Sequence, residues 1–232
     1  MRPTDRGVGR VPARSVRVVT IETALFLGRF LQNPRRVGAV APSSSRLAWR
    51  ATVPVPDTGH PVVVELGPGT GAFTELIQRR LGGRGCHLAL EVDPVFTALL
   101  RRRFPMVDVV AAAAEDLPDV LAAYGLPPAD VVVSGLPWTV LPAALVDRTM
   151  AAIVAGMAPH GAFTTFAYLH ASWTSPARRL RNRLTGVFEE VVVGRTVWAN
   201  LPPALVYHAR RPRHQSAGAR HGRNCSSTRP SR

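Results

Sequence analysis

Three glycines at alternate positions, Gly67, Gly69 and Gly71 in "ELGPGTGAF", follow a run of β-branched residues and precede a helix-like stretch. Glycine there lets backbone approach a ligand closely, and the first turn of a helix leaves N–H groups without internal partners. That is chemistry for holding a nucleotide. Glu91 ends the next apolar run, 20 residues beyond Gly71, where a carboxylate accepts hydrogen bonds from a ribose diol. Two more groups sit at the carboxyl ends of apolar runs, where open α/β sheets keep their ligands. One is the turn "SGLPW", Ser134 to Trp138; the other is Tyr168 with His170, both candidate proton acceptors.

The loop alone leaves the nucleotide open, because Gly67-Pro-Gly69-Thr-Gly71-Ala72 also satisfies the dinucleotide fingerprint of dehydrogenases with alanine in the last place. Glu65 weighs against that reading. A pyrophosphate is repelled by a carboxylate at the strand end, whereas the cationic methionyl amine of S-adenosylmethionine is attracted to one.

These residues need a sheet to hold them. Strand-like runs alternate with helix-like ones from Val62: "VVVEL", then 70–81; "CHLALE", then 94–103; "VDVVA", then 116–123; "DVVVSG", then 141–156. "GAFTTFAYL", the short helix "PARRLRNRL", "VFEEVVVGRTVW" and "ALVYHAR" follow. Such alternation predicts an α/β fold, a mostly parallel sheet covered by helices on both faces. The last two runs have no helix between them and predict an antiparallel hairpin at one edge. Before this body, "VRVVTIETALFLGRFLQNP" reads as a helix stopped by Pro34, its wide apolar surface suited to packing on the domain or to partial membrane insertion.

All 29 basic residues are arginine, against 15 acidic ones, for a formal charge of +14. Five arginines fall in residues 1–17 and seven in 210–232, stretches rich in Gly, Pro and Ser that read as disordered tails. Val18 to Ala209 holds 17 arginines against 14 acids, so the body is only mildly basic. The expected organisation is a basic tail 1–17, a helix and lid loop 18–60, a catalytic domain 61–209 and a basic tail 210–232. Basic tails suit an anionic membrane surface or nucleic acid, or are simply solvated. Cys86 and Cys225 make neither a disulfide framework nor a metal pattern, which fits a cytoplasmic protein. No run of 18 apolar residues and no signal peptide is present, so the chain is not expected to span a membrane.

With "ELGPGTGAFT", "LALEVDP", "AEDL" and "SGLPW" together, the chain resembles the Rossmann-like class I S-adenosylmethionine-dependent methyltransferases. "FLQNPRRVGAVAPSSSRLA" before the loop, and "SPARRLRNRL" and "VWANLPPALVYHARR" after the core, extend the resemblance over about residues 22 to 211 to the bacterial phospholipid N-methyltransferases. More distantly the chain is similar to rRNA adenine dimethyltransferases. The resemblance implies a seven-stranded sheet and S-adenosylmethionine as cofactor. It implies that Glu65, Gly67, Gly69, Thr70 and Gly71 hold the methionyl part, that Glu91 binds the ribose, and that Ala114 and Glu115 flank the adenine. Relatives carry Gly-Asp-Ala where this chain has Ala112-Ala113-Ala114, so Glu115 or Asp116 would replace the missing carboxylate, or simply favour a helix start. Ser43 and Ser44 would lie on a loop over cofactor and substrate, or cap the helix of "SRLAWR".

The implied reaction is methyl transfer to the amine of phosphatidylethanolamine and its methylated derivatives, a route that needs no metal and reduces to alignment and exclusion of water. Ser134, Leu136, Pro137 and Trp138 would form the acceptor turn, and Tyr168 and His170 the proton acceptors. Trp138, Tyr168 and Trp173 would face the growing cation, and the cluster Arg178, Arg179, Arg181 and Arg183 the lipid phosphate. The expected partner is an anionic phospholipid membrane surface, met by a monomer at the inner face of the membrane without a metal. Two alternatives stand beside this. In RNA adenine N6-methyltransferases the turn reads Asn-Leu-Pro-aromatic, but here Gly135 takes the asparagine's place. The other is a lipid- or RNA-binding module without catalysis.

Overall fold

The computed structural model describes residues 43–214. The expected helix ending at Pro34 and most of both basic tails lie outside the described residues.

A seven-stranded sheet runs through the molecule in the order β3-β2-β1-β4-β5-β7-β6. Its members are β1 (Val62–Leu66), β2 (Cys86–Leu90), β3 (Asp108–Val110), β4 (Ala129–Ser134), β5 (Met157–Tyr168), β6 (Phe188–Val193) and β7 (Ala204–Pro212). The first five are parallel; β7 lies antiparallel between β5 and β6, the expected hairpin closing one edge. β1 is buried along its whole length, as a β-branched run covered on both faces must be. Chain order reverses direction between β1 and β4, which leaves a crevice at their carboxyl ends.

Helices α1 (Ser45–Ala51), α2 (Ala72–Leu81) and α3 (Pro94–Arg103) cover one face. There Leu47, Ala51, Phe73, Ile77 and Val133 form one core, and Leu100 packs on Ala89 and Val109 in a smaller one. On the other face α4 (Leu117–Ala123), α5 (Ala143–Gly156) and α6 (Ser175–Val187) build the larger core with Leu66, Leu90, Ile153 and Leu184. Within it the Phe163 ring stacks on Phe188, centroids 5.7 Å apart, and meets Trp138 edge-on at 6.1 Å.

Several boundaries differ from the sequence reading for local reasons. α2 starts at Ala72 because Gly71, at φ 88°, stands outside the helix as its cap. α3 starts at Pro94 as expected; Asp93 caps it by accepting from Val95 N at 2.8 Å and Phe96 N at 3.2 Å, worth about 1 kcal/mol. β5 starts at Met157, four residues early, because Met157 pairs with Ala129 before a register shift brings Ala162 beside Val131. β7 continues to Pro212, two residues past the expected run "ALVYHAR", because Pro212 still pairs with Phe188 of β6. α1 belongs to the core of the domain: Thr164 Oγ1 on β5 donates to Ala51 O at 2.7 Å.

Candidate active site

The crevice is made by two strand ends that touch. Gly135 N, after β4, donates to Leu66 O at 2.8 Å, and Gly67 N, after β1, donates to Leu90 O at 3.0 Å. Gly67 has φ +66°, a left-handed conformation that favours glycine. A Cβ on Gly135 would lie 2.5 Å from Gly67 O, so the two loops approach only because neither carries a side chain. The cleft between them is lined by Gly67, Gly69, Glu91, Leu136 and Pro137, together with Ala112 to Glu115 and with Leu141, Leu145 and Thr149.

Glu91 is the buried charge of this cleft. Its Oε2 accepts from Gly69 N and its Oε1 from Asp93 N, both at 3.0 Å, which ties the glycine loop to the end of β2. Burial raises its pKa above the ordinary 4.5; the N–H bonds from Asp93 and Gly69 oppose that rise, and the Asp93 charge adds to it. A carboxylate has about four lone-pair sites, so two remain for a diol after these two bonds.

Glu65 sits elsewhere. It is fully buried and does not line the cleft. Thr74 Oγ1, in the first turn of α2, donates to its Oε2 at 2.7 Å, and His87 Nε2 lies 3.3 Å from the same oxygen. Gln78 Nε2 is 2.9 Å from His87 Nδ1, and Glu65 Oε1 has no partner among the described residues. Strand alternation explains the placement: Glu65 shares its side of β1 with Val63, toward α1 and α2. Its contacts are with α2 and β2, and the sequence reading missed Thr74, Gln78 and His87.

The wall expected to flank the adenine is largely apolar. Ala112 and Ala113 are buried, and Asp116 is occupied, its Oδ2 accepting from Ala113 N at 3.1 Å. Glu115 lines the cleft but pairs with Arg148 at 3.2 Å. Thr149, also unforeseen, shares the cleft face of α5 with Leu145 four residues earlier, a spacing that was visible in the sequence. Thr70 and Gly71 belong to the loop and helix cap without lining the cleft; Thr70 O accepts from Arg103 Nη1 at 3.1 Å.

Ser44 is the N-cap of α1, its Oγ accepting from Leu47 N at 3.2 Å. Its own N–H donates to Asn200 Oδ1 at 2.9 Å, so α1 is fastened to the segment joining β6 and β7. Neither Ser43 nor Ser44 lines the cleft.

In the turn after β4 only Leu136 and Pro137 face the cleft together with Gly135. Ser134 is fully buried, and its Oγ accepts from Trp138 Nε1 at 3.0 Å and Leu136 N at 3.3 Å. Trp138 is 2 % exposed and packs on Phe163, so its ring is core and wall support, not a free face for a cation. Tyr168 is half-buried and stacks on exposed His170, centroids 5.8 Å apart. Burial raises the Tyr168 pKa, which keeps the phenol protonated near neutrality. Trp173 is exposed. The structure therefore brings together the glycine loop, Glu91, Ala114, Glu115, Leu136 and Pro137, and leaves Tyr168 and His170 outside the cleft lining.

Among the described residues no group of three His, Cys, Asp or Glu side chains is arranged to hold a metal. Bare backbone at Gly67 and Gly69, the Glu91 carboxylate with lone pairs to spare and an alanine-lined wall fit S-adenosylmethionine, a nucleoside carrying an amino acid. At Gly69 even an added Cβ would meet nothing within 4 Å, so the loop opens onto free space.

No family model matches the sequence. The chain is 35% identical over 189 residues to the ornithine lipid N-methyltransferase of Singulisphaera acidiphila, covering 80% of this chain and 94% of that one. Its fold is similar to that of an S-adenosylmethionine-dependent O-methyltransferase from Thermotoga maritima, with TM-score 0.59 and 13% identity over 80% of this chain and 72% of that one. It is also similar to the 1,6-didemethyltoxoflavin-N1-methyltransferase of Burkholderia thailandensis, solved with S-adenosylhomocysteine, with TM-score 0.55 and 18% identity over 82% and 87%. S-adenosylmethionine is the cofactor that these findings and the cleft support. The chain belongs to the family of S-adenosylmethionine-dependent methyltransferases that includes the Singulisphaera enzyme.

Proposed function

We propose that this enzyme methylates the amine of a lipid head group, with phosphatidylethanolamine and its methylated derivatives as acceptors. The observation that carries the reading is the contact of Gly135 with Gly67 O: no side chain fits at the position where RNA adenine methyltransferases hold the base with asparagine. An aliphatic amine needs no such in-plane partner. The name of the Singulisphaera relative favours a second acceptor, ornithine lipid, which likewise presents an amine beside an anionic group.

S-adenosylmethionine supplies an electrophilic methyl group on a sulfonium. The chain's part is to hold it between Gly67, Gly69, Glu91 and the Ala112–Glu115 wall, and to bring the amine against Leu136 and Pro137 with water excluded. The amine must arrive unprotonated. With Tyr168 and His170 outside the cleft lining, its proton leaves to solvent.

A groove beside the cleft suits the rest of the acceptor. Leu141 lines both; the groove adds Trp138, Val146 and Leu180 as apolar wall and Arg179 and Arg183 as cations. Arg183 is paired with Asp147 at 2.6 Å, and Arg178 donates to Trp173 O and Ser175 Oγ. Arg179 makes no ion pair among the described residues, which makes it the residue to meet a phosphate or carboxylate.

Methyl label from S-adenosylmethionine should enter phosphatidylethanolamine, its mono- and dimethyl derivatives or ornithine lipid in mixed micelles. Labelling of stripped ribosomal RNA with none of these lipids labelled would overturn the reading.

A further inference from the structure

Three of the four tryptophans are exposed: Trp49 at 52%, Trp173 at 76% and Trp198 at 73%, beside Leu201 at 65%. Large apolar side chains left in water on one surface mark a partner. Trp49 and Trp198 line one concavity, made by α1 and the segment between β6 and β7, together with Arg46 and Arg50. The Ser44 to Asn200 hydrogen bond fastens the two walls. Leu201 follows on the same segment, and Leu169 N donates to Pro203 O at 2.7 Å, joining that segment to the end of β5 that leads to Trp173.

The charge on this face has one sign. From Val191 to His214, and from Ser43 to Pro56, the chain contains no Asp or Glu. Arg46, Arg50 and Arg195 are exposed, and among the described residues none of them makes an ion pair. The Arg50 and Arg80 guanidinium carbons lie 5.6 and 5.8 Å from the centroid of the Trp49 ring. Because β7 runs antiparallel to β5, with Ala204 beside Tyr168, this segment stands at the carboxyl end of the parallel strands, the end at which the cleft lies.

We propose that the face carrying Trp49, Trp198, Leu201, Arg46, Arg50 and Arg195 is the surface on which the enzyme rests on an anionic lipid bilayer. Indole rings settle at the head-group level of a bilayer, arginines above it meet lipid phosphates, and Leu201 enters the acyl boundary. Single-stranded RNA also attracts arginine and tryptophan, but it offers nothing to an exposed leucine followed by two prolines. The inference deepens the lipid reading by naming the surface that brings the cleft edge to its substrate, and its test does not depend on methyl transfer.

The full chain is mixed with phosphatidylcholine vesicles containing about a third phosphatidylglycerol, with acyl chains brominated near the head group. Tryptophan emission is expected to shift to the blue and be quenched, and Trp49→Phe with Trp198→Phe to lose most of that quenching. Trp198→Ser with Leu201→Ser should bind these vesicles roughly tenfold more weakly, and Arg46→Glu with Arg50→Glu should lose the preference for phosphatidylglycerol. Methylation of a short-chain lipid dispersed as monomers should stay at the unsubstituted level in the surface variants. Three results overturn the proposal: vesicle binding without quenching of Trp49 and Trp198, shielding of both from iodide in the free chain, or displacement of vesicles by RNA that quenches the same tryptophans. Quenching without any lipid methylation leaves the surface standing and removes the lipid-methyltransferase reading instead.

Discussion

The carbonyl oxygen of Gly67 occupies the place where Gly135 would carry a Cβ, 2.5 Å from its ideal position. Both partners are backbone, so neither yields cheaply. Gly135→Asn therefore tests more than the acceptor pocket: it pushes β1 and β4 apart at the cofactor cleft. Gly135→Ala and Gly135→Asn should each lower stability by roughly 1–3 kcal/mol, as overpacking does, and weaken S-adenosylmethionine binding in parallel. Thermal unfolding and titration calorimetry check this. A variant with normal stability and cofactor affinity but lost lipid methylation would put the acceptor's head group directly over Gly135.

Glu91→Gln keeps one acceptor oxygen and removes the charge, so the dissociation constant for S-adenosylmethionine should rise by about tenfold, the worth of a charge-assisted hydrogen bond. Its pH dependence has a definite sign. Burial raises the folded-state pKa of Glu91, so the group favours folding at low pH and opposes it as pH rises through that value. Cofactor binding runs the other way, weakening as the carboxylate is protonated, and at a higher pH than an ordinary glutamate would require. Calorimetric titrations across the acidic range, compared with Glu91→Gln, read both effects.

Ser134→Ala leaves the buried Trp138 Nε1 without an acceptor, at a cost of about 1–3 kcal/mol. Trp138→Phe removes the donor as well, so the double variant should lose less than the sum of the two single ones. Urea unfolding of the four proteins measures that coupling. Because Trp138 is held in the core, KM for lipid should move less than stability does.

His87→Leu takes the imidazole away from the buried Glu65 and from Gln78, leaving Glu65 with Thr74 as its hydrogen-bond partner, which should destabilise the fold by about 1–3 kcal/mol. Glu65→Leu in the same background should lose less than the sum of the two single variants, since both polar groups then leave the core together. Denaturant midpoints decide it.

Arg179→Ala should raise KM for the lipid about tenfold while kcat and the cofactor dissociation constant stay unchanged, as expected for lost ground-state binding of an anion. Steady-state kinetics on micellar lipid separates the terms.

The sheet, the glycine loop and Glu91 were legible in the sequence because each is written locally. Alternating apolar runs set the strands, glycine spacing marks the turn, and Glu91 follows from its place at the end of β2. The resemblance carried the class of cofactor. What the chain could not display was which groups meet across long separations. Glu65 looked like a ligand-binding carboxylate until strand alternation set it against Thr74 and His87 under α2. Trp138 looked like an open wall until Ser134 and Phe163 drew it into the core. Ser44 and Asn200, 156 residues apart, bind each other only because β7 returns beside β5 and carries its preceding segment to α1. Local sequence determined the elements and the glycine loop; packing alone decided which side chains were spent on holding the fold and which, like Trp49 and Trp198, were left facing out.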